Sequence, residues 1–396
     1  CMRTPRTPLA RAVTPMRTDG SSWLLSSGRN SVNNRQKKGI AVKKRFRAVL
    51  LSLGLLFLLA QPAFAAELGE PNITPQTTMR ELRENPSLKA SGYYTYCREM
   101  LPIESNYWNN KTLAQYAKPQ LVYDCADAMN LVIENYNKGV QVTWQVYTPE
   151  EIAENSSLGM VQLFYYPAEG PGGRYAIVLP GNGSTITSEM EEGGSAASQL
   201  HAMGYTVFVL RYRSFLDATD NAPLDDIGRA VQFITQNAER FGVQAEGYAI
   251  TAFSSGGQLA GLFCNEEIGW GRYSVPKPGA LLMAYPVINF NEIKLLYHVL
   301  MDPGECGWRF YCSSVADVVT DDYPPVYFWY GNNDIILPLM DLRKQGPAFE
   351  KALQAHSVPY QMHVYKNAGH SIGTGRGTDA EGWLTEAAAF WEEQVG

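Results

Sequence analysis

A serine, an aspartate and a histidine each follow a short apolar run in the second half of this chain, at Ser254, Asp334 and His370. Small residues, including Gly256 and Gly257, follow the serine at once, as in a tight turn between a strand and a helix that exposes a serine hydroxyl. Such a hydroxyl becomes a nucleophile when a histidine accepts its proton and a carboxylate orients the histidine. The three residues, in this chain order, predict nucleophilic attack on a carbonyl carbon.

The acid and the base are expected in loops that follow two predicted strands at 326–329 and 361–365. Asp334 comes just beyond the first strand, and His370 follows the second, preceded by a glycine that frees the backbone to aim the ring. We favour Asp334 as the acid because it alone immediately follows a core strand. Four other carboxylates lie nearby as alternatives: Asp317, Asp321, Asp322 and Asp341.

Backbone amides that stabilise an oxyanion are expected in the loop after the third predicted strand. Gly181 and Gly183 flank Asn182 there and allow a close approach of backbone amides to a substrate oxygen. The amide of Ser255 opens a helix whose positive end can face the same oxygen. These four residues form the predicted oxyanion hole.

A seven-residue spacing of His356, His363 and His370 raises the question of a metal site. The spacing crosses the end of a predicted helix, a strand and a loop, so the three rings share no common face. No Cys-x-x-Cys motif is present. We therefore expect neither a metal nor a cofactor.

The N-terminal part of the chain has the pattern of a secretory signal peptide at 42–65. Basic residues at 43–47 precede a short apolar run at 48–60, and small residues follow. The run is shorter than the roughly 20 residues of a membrane span. We expect cleavage after Ala65, with Ala66 as the alternative, and a secreted or extracytoplasmic protein without a stable membrane span.

Residues 1–41 are rich in Arg, Ser, Thr and Asn and are interpreted as a disordered extension or an over-long translated start. Residues 1–66 carry 12 of the 33 basic and 1 of the 39 acidic residues, which leaves 21 basic and 38 acidic residues and a net charge of −17. A surface of this charge repels nucleic acid and anionic membranes. The expected partner is a small-molecule or carbohydrate ester substrate, and the sequence leaves the oligomeric state open.

Five cysteines lie beyond the leader, and an odd number in an exported chain implies at least one free thiol. Cys97 with Cys125, and Cys306 with Cys312, are the plausible disulfide pairs. Cys264 falls on the predicted helix after Ser254, where a buried thiol acts as a small apolar residue.

The pattern of apolar runs predicts an α/β fold with a mostly parallel eight-stranded sheet and helices on both faces. The catalytic domain would span 139–396, preceded by a helical N-terminal extension at 66–138 that includes a helix at 113–136. The first two strands, without a helix between them, should pair as a hairpin. Strands are predicted at 140–147, 160–166, 175–179, 206–211, 248–252, 280–284, 326–329 and 361–365. Helices are predicted near 188–203, 224–241, 257–265, 342–356 and 380–393.

From about residue 140 onward the chain resembles α/β-hydrolases of the acetyl-esterase and feruloyl-esterase-like branch. The resemblance rests on motifs in the order that this branch shows: Pro180-Gly-Asn-Gly183, Leu210-Arg-Tyr-Arg213, Pro223-Leu-Asp-Asp226, Ala252-Phe-Ser-Ser-Gly-Gly-Gln-Leu-Ala260, Tyr285-Pro-Val287 and Gly369-His370. It implies Ser254 as nucleophile, Asp334 as orienting acid and His370 as base. The N-terminal extension lies outside the match.

Three positions depart from the branch's pattern. Ala252 replaces the first glycine of the elbow, Asn182 replaces a middle glycine, and Gln258 replaces a histidine. The last change leaves substrate details open. An insertion at 287–320 contributes aromatic residues to a tentative substrate pocket, which comprises Ser184, Tyr285, Trp308 and Tyr311.

The chain is therefore expected to be an exported serine esterase that forms an acyl-enzyme on Ser254. Small acyl esters, such as acetyl groups on polysaccharides, are the expected substrates. One alternative is a peptidase of the prolyl-oligopeptidase-like group, although residues 67–138 are too few for a propeller domain. A second alternative is a non-catalytic binding protein on a hydrolase scaffold, which the complete set of three residues disfavours.

Overall fold

Short apolar runs with many β-branched and aromatic residues form the strands of one sheet. In this computed structural model the described residues are 68–93, 107–170, 173–181, 189–214, 217–218, 220–289, 314–336 and 342–396. The strands among them are β1 Thr143–Gln145, β2 Gln162–Tyr166, β3 Tyr175–Leu179, β4 Thr206–Arg211, β5 Ala249–Phe253, β6 Ala280–Ala284, β7 Val326–Gly331 and β8 Tyr360–Tyr365. Four of these, β3, β5, β6 and β7, are buried along their whole length, as expected of strands covered on both faces.

The sheet has the strand order β1-β2-β4-β3-β5-β6-β7-β8. The two strands at one edge, β1 and β2, run antiparallel to their neighbours, and the six strands from β4 to β8 in that order are parallel. The mostly parallel eight-stranded sheet predicted from the sequence is therefore confirmed. Parallel strands place all their carboxyl ends at one edge, where the loops carry Ser254, Asp334 and His370.

Helices cover both faces of this sheet. Alternate residues of each strand point to opposite faces, and two separate apolar clusters form, one on each side. The helices among the described residues are α1 Met79–Glu84, α2 Pro86–Ala90, α3 Leu113–Tyr116, α4 Val122–Asn137, α5 Pro149–Glu154, α6 Ser195–Ala202, α7 Ala222–Gln236, α8 Ala238–Phe241, α9 Ser254–Phe263, α10 Leu342–Ala355 and α11 Trp383–Val395. Side chains of α7, α9 and α10 belong to one cluster, and those of α4, α6 and α11 belong to the other.

The extension differs from its prediction in one element. The helix predicted at 113–136 is wrong as a single element, since it is split into α3 and α4. Ala117 has an extended backbone, with ψ of 158°, just before Lys118 and Pro119. Proline disfavours a helical conformation in the residue before it and lacks the N–H that a continued helix needs, so the helix ends there.

The connection between β1 and β2 also differs from the prediction. The two strands do pair antiparallel, but α5 lies between them where no helix was expected. Thr148 and Glu151 form a capping box at its start, with Pro149 at the first helical position. Both features are local signals for the start of a helix.

The two described cysteines lie in the apolar interior. Cys264 is fully buried, as predicted, and burial raises the pKa of its thiol. Cys125 on α4 is also fully buried, and its thiol donates to the carbonyl oxygen of Met190 at 3.1 Å. Its suggested partner Cys97 and the pair Cys306 and Cys312 lie outside the described residues.

Candidate active site

Ser254 stands at the junction of β5 and α9, where the chain turns sharply. Its φ is +50°, in the left-handed region that a non-glycine residue seldom adopts. Such strain is sustained only where the surrounding structure enforces it, and it is frequent at functional sites. The backbone thus presents the serine side chain at the carboxyl edge of the sheet.

Close packing enforces this turn. A Cβ on Gly256 would lie 2.4 Å from the carbonyl oxygen of Leu179, at the end of β3, and a Cβ on Gly257 would lie 2.6 Å from the Cβ of Pro286. Neither position has room for a side chain. The glycines after Ser254 are therefore required, because β3 and the loop after β6 pack directly against the start of α9.

The three residues predicted to act together are in hydrogen-bonding contact. Ser254 Oγ lies 2.8 Å from His370 Nε2, and His370 Nδ1 lies 2.7 Å from Asp334 Oδ2. The Asp334 side chain is fully buried, and its second oxygen, Oδ1, accepts from the backbone N–H of Ile336 at 2.9 Å. This geometry allows the histidine to take a proton from the serine while the carboxylate holds the ring.

The start of the predicted oxyanion loop is held by the side chains of Glu192 and Tyr212. The N–H of Gly181 donates to Glu192 Oε2 at 2.7 Å, and the hydroxyl of Tyr212 donates to the carbonyl oxygen of Pro180 at 2.6 Å. The Gly181 amide is thus engaged by a carboxylate. Ser255 is buried at the first turn of α9.

The remaining predicted loop and pocket residues fall largely outside the described part of the chain. These are Asn182, Gly183, Ser184, Trp308 and Tyr311. Tyr285 is described, and it is fully buried, with its ring packed against the ring of His370 at a centroid distance of 4.9 Å. The structure places it behind the histidine, away from solvent.

Glu192, which sequence reasoning did not single out, is a buried carboxylate beside the site. It lies in a π-helical turn, Glu189–Gly194, just before α6. Its Oε1 accepts from the hydroxyl of Tyr285 at 2.9 Å, and that hydroxyl in turn accepts from the N–H of Gly373 at 2.8 Å. Burial raises the pKa of the Glu192 carboxyl, and the hydrogen bonds from Tyr285 and Gly181 partly oppose this rise.

The N-terminal extension contacts the loop that carries the histidine. Lys118 Nζ donates to the backbone carbonyl oxygen of His370 at 2.7 Å. Asp124, buried on α4, accepts from Thr374 Oγ1 at 2.6 Å and forms an ion pair with Arg376. The extension, for which the sequence suggested no role, therefore supports the backbone around the candidate base.

Two of the motifs behind the family resemblance form one buried ion pair. Arg213 donates from its backbone N–H to Asp226 Oδ2 at 2.8 Å and from a terminal guanidinium nitrogen to Oδ1 at 2.7 Å. Tyr147 adds a hydrogen bond to the same carboxylate at 2.8 Å. This network ties the end of β4 to the start of α7 and explains why both motifs carry charged residues.

The other histidines have surroundings of their own. His356 contacts Asp321 near the end of α10, and His363 on β8 stacks on Tyr327. Within the described ranges, no group of three or more His, Cys, Asp or Glu side chains could hold a metal ion. In the same ranges, no helix has both the length and the apolar character needed to cross a bilayer.

The sheet order, the helices on both faces and the strand-to-helix serine turn define the fold as that of the α/β hydrolases. Residues 164–267 match the BD-FAE family model. This segment runs from β2 past the end of α9 and includes Ser254. The resemblance to the acetyl-esterase and feruloyl-esterase-like branch, predicted from the motifs, is confirmed.

Two proteins are similar to this chain in sequence, and their matches cover 64% and 52% of it. The acetylxylan esterase of Xylanibacter ruminicola is 25% identical over 265 residues, which is 64% of this chain and 52% of that protein. Endo-1,4-beta-xylanase B of Butyrivibrio fibrisolvens is 26% identical over 218 residues, 52% of this chain and 34% of that protein. The matched region thus spans about half or less of either relative.

A solved structure is similar in fold. The acetyl ester-xyloside bifunctional hydrolase of Caldicellulosiruptor lactoaceticus superimposes with a TM-score of 0.50 at 22% identity, covering 59% of this chain and 88% of that structure. The likeness supports the fold assignment.

Proposed function

We propose that this chain is a serine esterase that removes acyl groups from small or carbohydrate esters. The observation that carries the proposal is the chain of contacts from Ser254 Oγ to His370 Nε2 at 2.8 Å and from His370 Nδ1 to Asp334 Oδ2 at 2.7 Å. The similarity to an acetylxylan esterase supports an ester as the substrate.

In the acylation half-reaction, Ser254 Oγ attacks the carbonyl carbon of the ester while His370 Nε2 takes the hydroxyl proton. Asp334 stabilises the imidazolium that forms and keeps Nδ1 as the protonated nitrogen. Collapse of the tetrahedral intermediate breaks the bond to the alcohol oxygen, which receives the proton from His370. The acyl group remains on Ser254 as an ester.

In the deacylation half-reaction, His370 takes a proton from water, and the hydroxide attacks the acyl-enzyme carbonyl carbon. The intermediate releases the carboxylic acid and returns the proton to Ser254 Oγ. The free enzyme is restored, and one water has been consumed.

The developing oxyanion would be stabilised by backbone amides at the start of α9 and in the loop after β3. Ser255 contributes its amide at the positive end of α9, a helix of ten residues. The Gly181 amide already donates to Glu192. We therefore assign the loop's share of the oxyanion hole to Asn182 and Gly183.

An acetyl group on a polysaccharide is the substrate class that we favour. One relative is an acetylxylan esterase and the other a xylanase. The net charge of −17 beyond the leader disfavours polyanionic substrates. The signal-peptide pattern at 42–65 fits action on such polymers outside the cytoplasm.

The test is hydrolysis of p-nitrophenyl acetate, acetylated xylan, a feruloyl ester and a prolyl peptide by wild type and Ser254→Ala. We expect wild type to hydrolyse the acetyl esters and Ser254→Ala to lose about 10³-fold or more in kcat with an unchanged fold. Ser156→Ala, at an exposed serine, is the matched control and should behave as wild type. Wild-type cleavage of the peptide alone, or activity that survives in Ser254→Ala, would contradict the proposal.

A further inference from the structure

A buried carboxylate lies outside the candidate triad and yet touches both halves of the site. Glu192 is 3% exposed, and each of its carboxylate oxygens accepts one hydrogen bond. Oε2 holds the N–H of Gly181, at the start of the predicted oxyanion loop. Oε1 holds the hydroxyl of Tyr285, whose ring packs on His370.

The connection continues into the loop that carries the base. The Tyr285 hydroxyl accepts from the N–H of Gly373, three residues after His370. Burial and the neighbouring Glu192 charge keep the pKa of Tyr285 well above its ordinary value, so the phenol keeps the proton that it donates. A continuous chain of hydrogen bonds thus links Glu192, Tyr285 and Gly373, and its central residue packs against the His370 ring.

Tyr285 has a strained backbone, with φ of +39°, directly after β6. A tyrosine in this conformation requires interactions that offset the strain. Its hydroxyl contacts on both sides, together with the packing of its ring on Trp329 and His370, provide them. The position of the Tyr285 ring depends on Glu192, which accepts from its hydroxyl. Because the Tyr285 ring packs on His370, the position of the imidazole depends on Glu192 as well.

A buried carboxylate is costly unless hydrogen bonds and charges compensate it. A neutral side chain would fill the same space at a smaller electrostatic cost. A buried carboxylate at this position therefore indicates a functional role. The charge of Glu192 interacts favourably with a protonated His370. When Glu192 is ionised, its charge favours the imidazolium that His370 becomes on taking the serine proton, so the charge stabilises the transition state more than the ground state.

We infer that Glu192 is a positioning residue for the proposed esterase reaction: it fixes Gly181, where the predicted oxyanion loop begins, and it positions the base through Tyr285. The inference rests on the proposed function and adds to it a second carboxylate that acts through other groups. Glu192 is buried, and it acts through Gly181 and Tyr285.

The test compares Glu192→Gln with wild type on p-nitrophenyl acetate. Glutamine has nearly the same shape, but its amide can accept only one of the two hydrogen bonds and carries no charge. We expect kcat to fall about tenfold to a hundredfold with KM within about threefold, because small displacements of reacting groups affect the chemical step. The downfield NMR resonance of the His370 Nδ1 proton should shift.

The matched control is Glu189→Gln, on the same turn. Glu189 is equally buried, and its carboxylate pairs with Arg211. We expect kcat of Glu189→Gln within about threefold of wild type, whatever its effect on stability. An equal loss of kcat in both variants would indicate a general effect of the turn and overturn the inference.

Tyr285→Phe tests the route through the tyrosine and keeps the inference testable if Glu192→Gln fails to fold. It removes the hydroxyl and retains the ring. We expect a lowered kcat at unchanged KM, and a smaller effect of Glu192→Gln when it is combined with Tyr285→Phe than in wild type. Folded Glu192→Gln with kcat within about threefold of wild type, or Tyr285→Phe with wild-type kinetics, would overturn the inference.

These outcomes are separate from a failure of the proposed function. If wild type itself does not hydrolyse the ester and Ser254→Ala makes no difference, the esterase proposal fails. If wild type is active through Ser254 and Glu192→Gln equals it, only the positioning role fails.

Discussion

The backbone carbonyl of Leu179, at the end of β3, occupies the space that a side chain on Gly256 would need. A Cβ at Gly256 would lie 2.4 Å from the Leu179 oxygen and 2.8 Å from the Pro180 oxygen. Both obstacles are backbone atoms, so they cannot rotate away. The serine turn and the end of β3, which leads into the predicted oxyanion loop, are therefore held in place by the same contact.

Gly256→Ala should accordingly lower both stability and activity. Forcing a methyl group against two carbonyls requires β3 and α9 to separate, and overpacking of this kind costs about 1–3 kcal/mol or more. Urea unfolding and ester hydrolysis measure the two effects. Gly170→Ala is the control, because a Cβ there meets no atom within 4 Å. Wild-type stability in Gly256→Ala would show that β3 and α9 do not lie this close together.

Asp334→Asn should reduce kcat by about 10³- to 10⁴-fold with little change in the fold. An amide presents a donor or a neutral oxygen to His370 Nδ1, favours the wrong tautomer and leaves the imidazolium without a counter-charge. Steady-state kinetics on a simple ester measure the loss.

Asp321→Asn is the control for this change, because its side chain is 91% exposed and contacts His356, away from the serine. It should retain wild-type kinetics. If Asp334→Asn turned over normally, the orienting acid would have to be another residue.

Asp124→Ala should destabilise the loop that follows His370. The carboxylate accepts from Thr374 and pairs with Arg376, so its removal leaves a buried hydroxyl without this acceptor, at a cost of about 1–3 kcal/mol. Hydrogen exchange of the amides at 371–376 should increase, and kcat should fall with it. The control is Asp127→Asn, which changes an exposed carboxylate one turn along α4. Its effect on stability should be neutral or slightly favourable, because the change removes a like charge near Asp124.

The parts of the site that lie on strand ends could be predicted from the sequence. Buried parallel strands appear in the sequence as uninterrupted apolar runs. For this reason β3, β4 and β6 were predicted with their observed bounds. Residues directly after such runs converge at the carboxyl edge of the sheet. This rule identified Ser254, Asp334 and His370 as candidates, and the structure places them in hydrogen-bonding contact.

The supports of the site could not be predicted, because they depend on contacts between distant segments. Glu192 appeared as one of three glutamates on a predicted helix, and nothing in an isolated sequence indicates that such a carboxylate is buried. Lys118 contacts a residue 252 positions away. Proline at 119 is a local signal for the end of a helix. The apolar residues on either side of it are spaced as in one continuous helix, so the break was not predicted.

The buried carboxyl of Glu192 gives a prediction for stability against pH. Desolvation raises its pKa above the ordinary 4.5, Glu191 adds to the rise, and Tyr285, Gly181 and His370 oppose it. The folded state therefore binds this proton more tightly than the unfolded state does. Its contribution to the free energy of unfolding is greatest below about pH 4.5 and is lost as the pH rises through the higher folded-state pKa.

Glu192→Gln lacks this titration, so wild type should lose stability relative to the variant as the pH rises above about 4.5. Urea unfolding of both proteins at a series of pH values measures the difference. Glu81→Gln provides a control of opposite sign. The pKa of Glu81 is lowered, chiefly by the hydrogen bond from the Thr78 backbone, so wild type should lose stability relative to that variant as the pH falls below about 4.5. Parallel curves for wild type and Glu192→Gln would mean that the carboxyl is not desolvated beside His370.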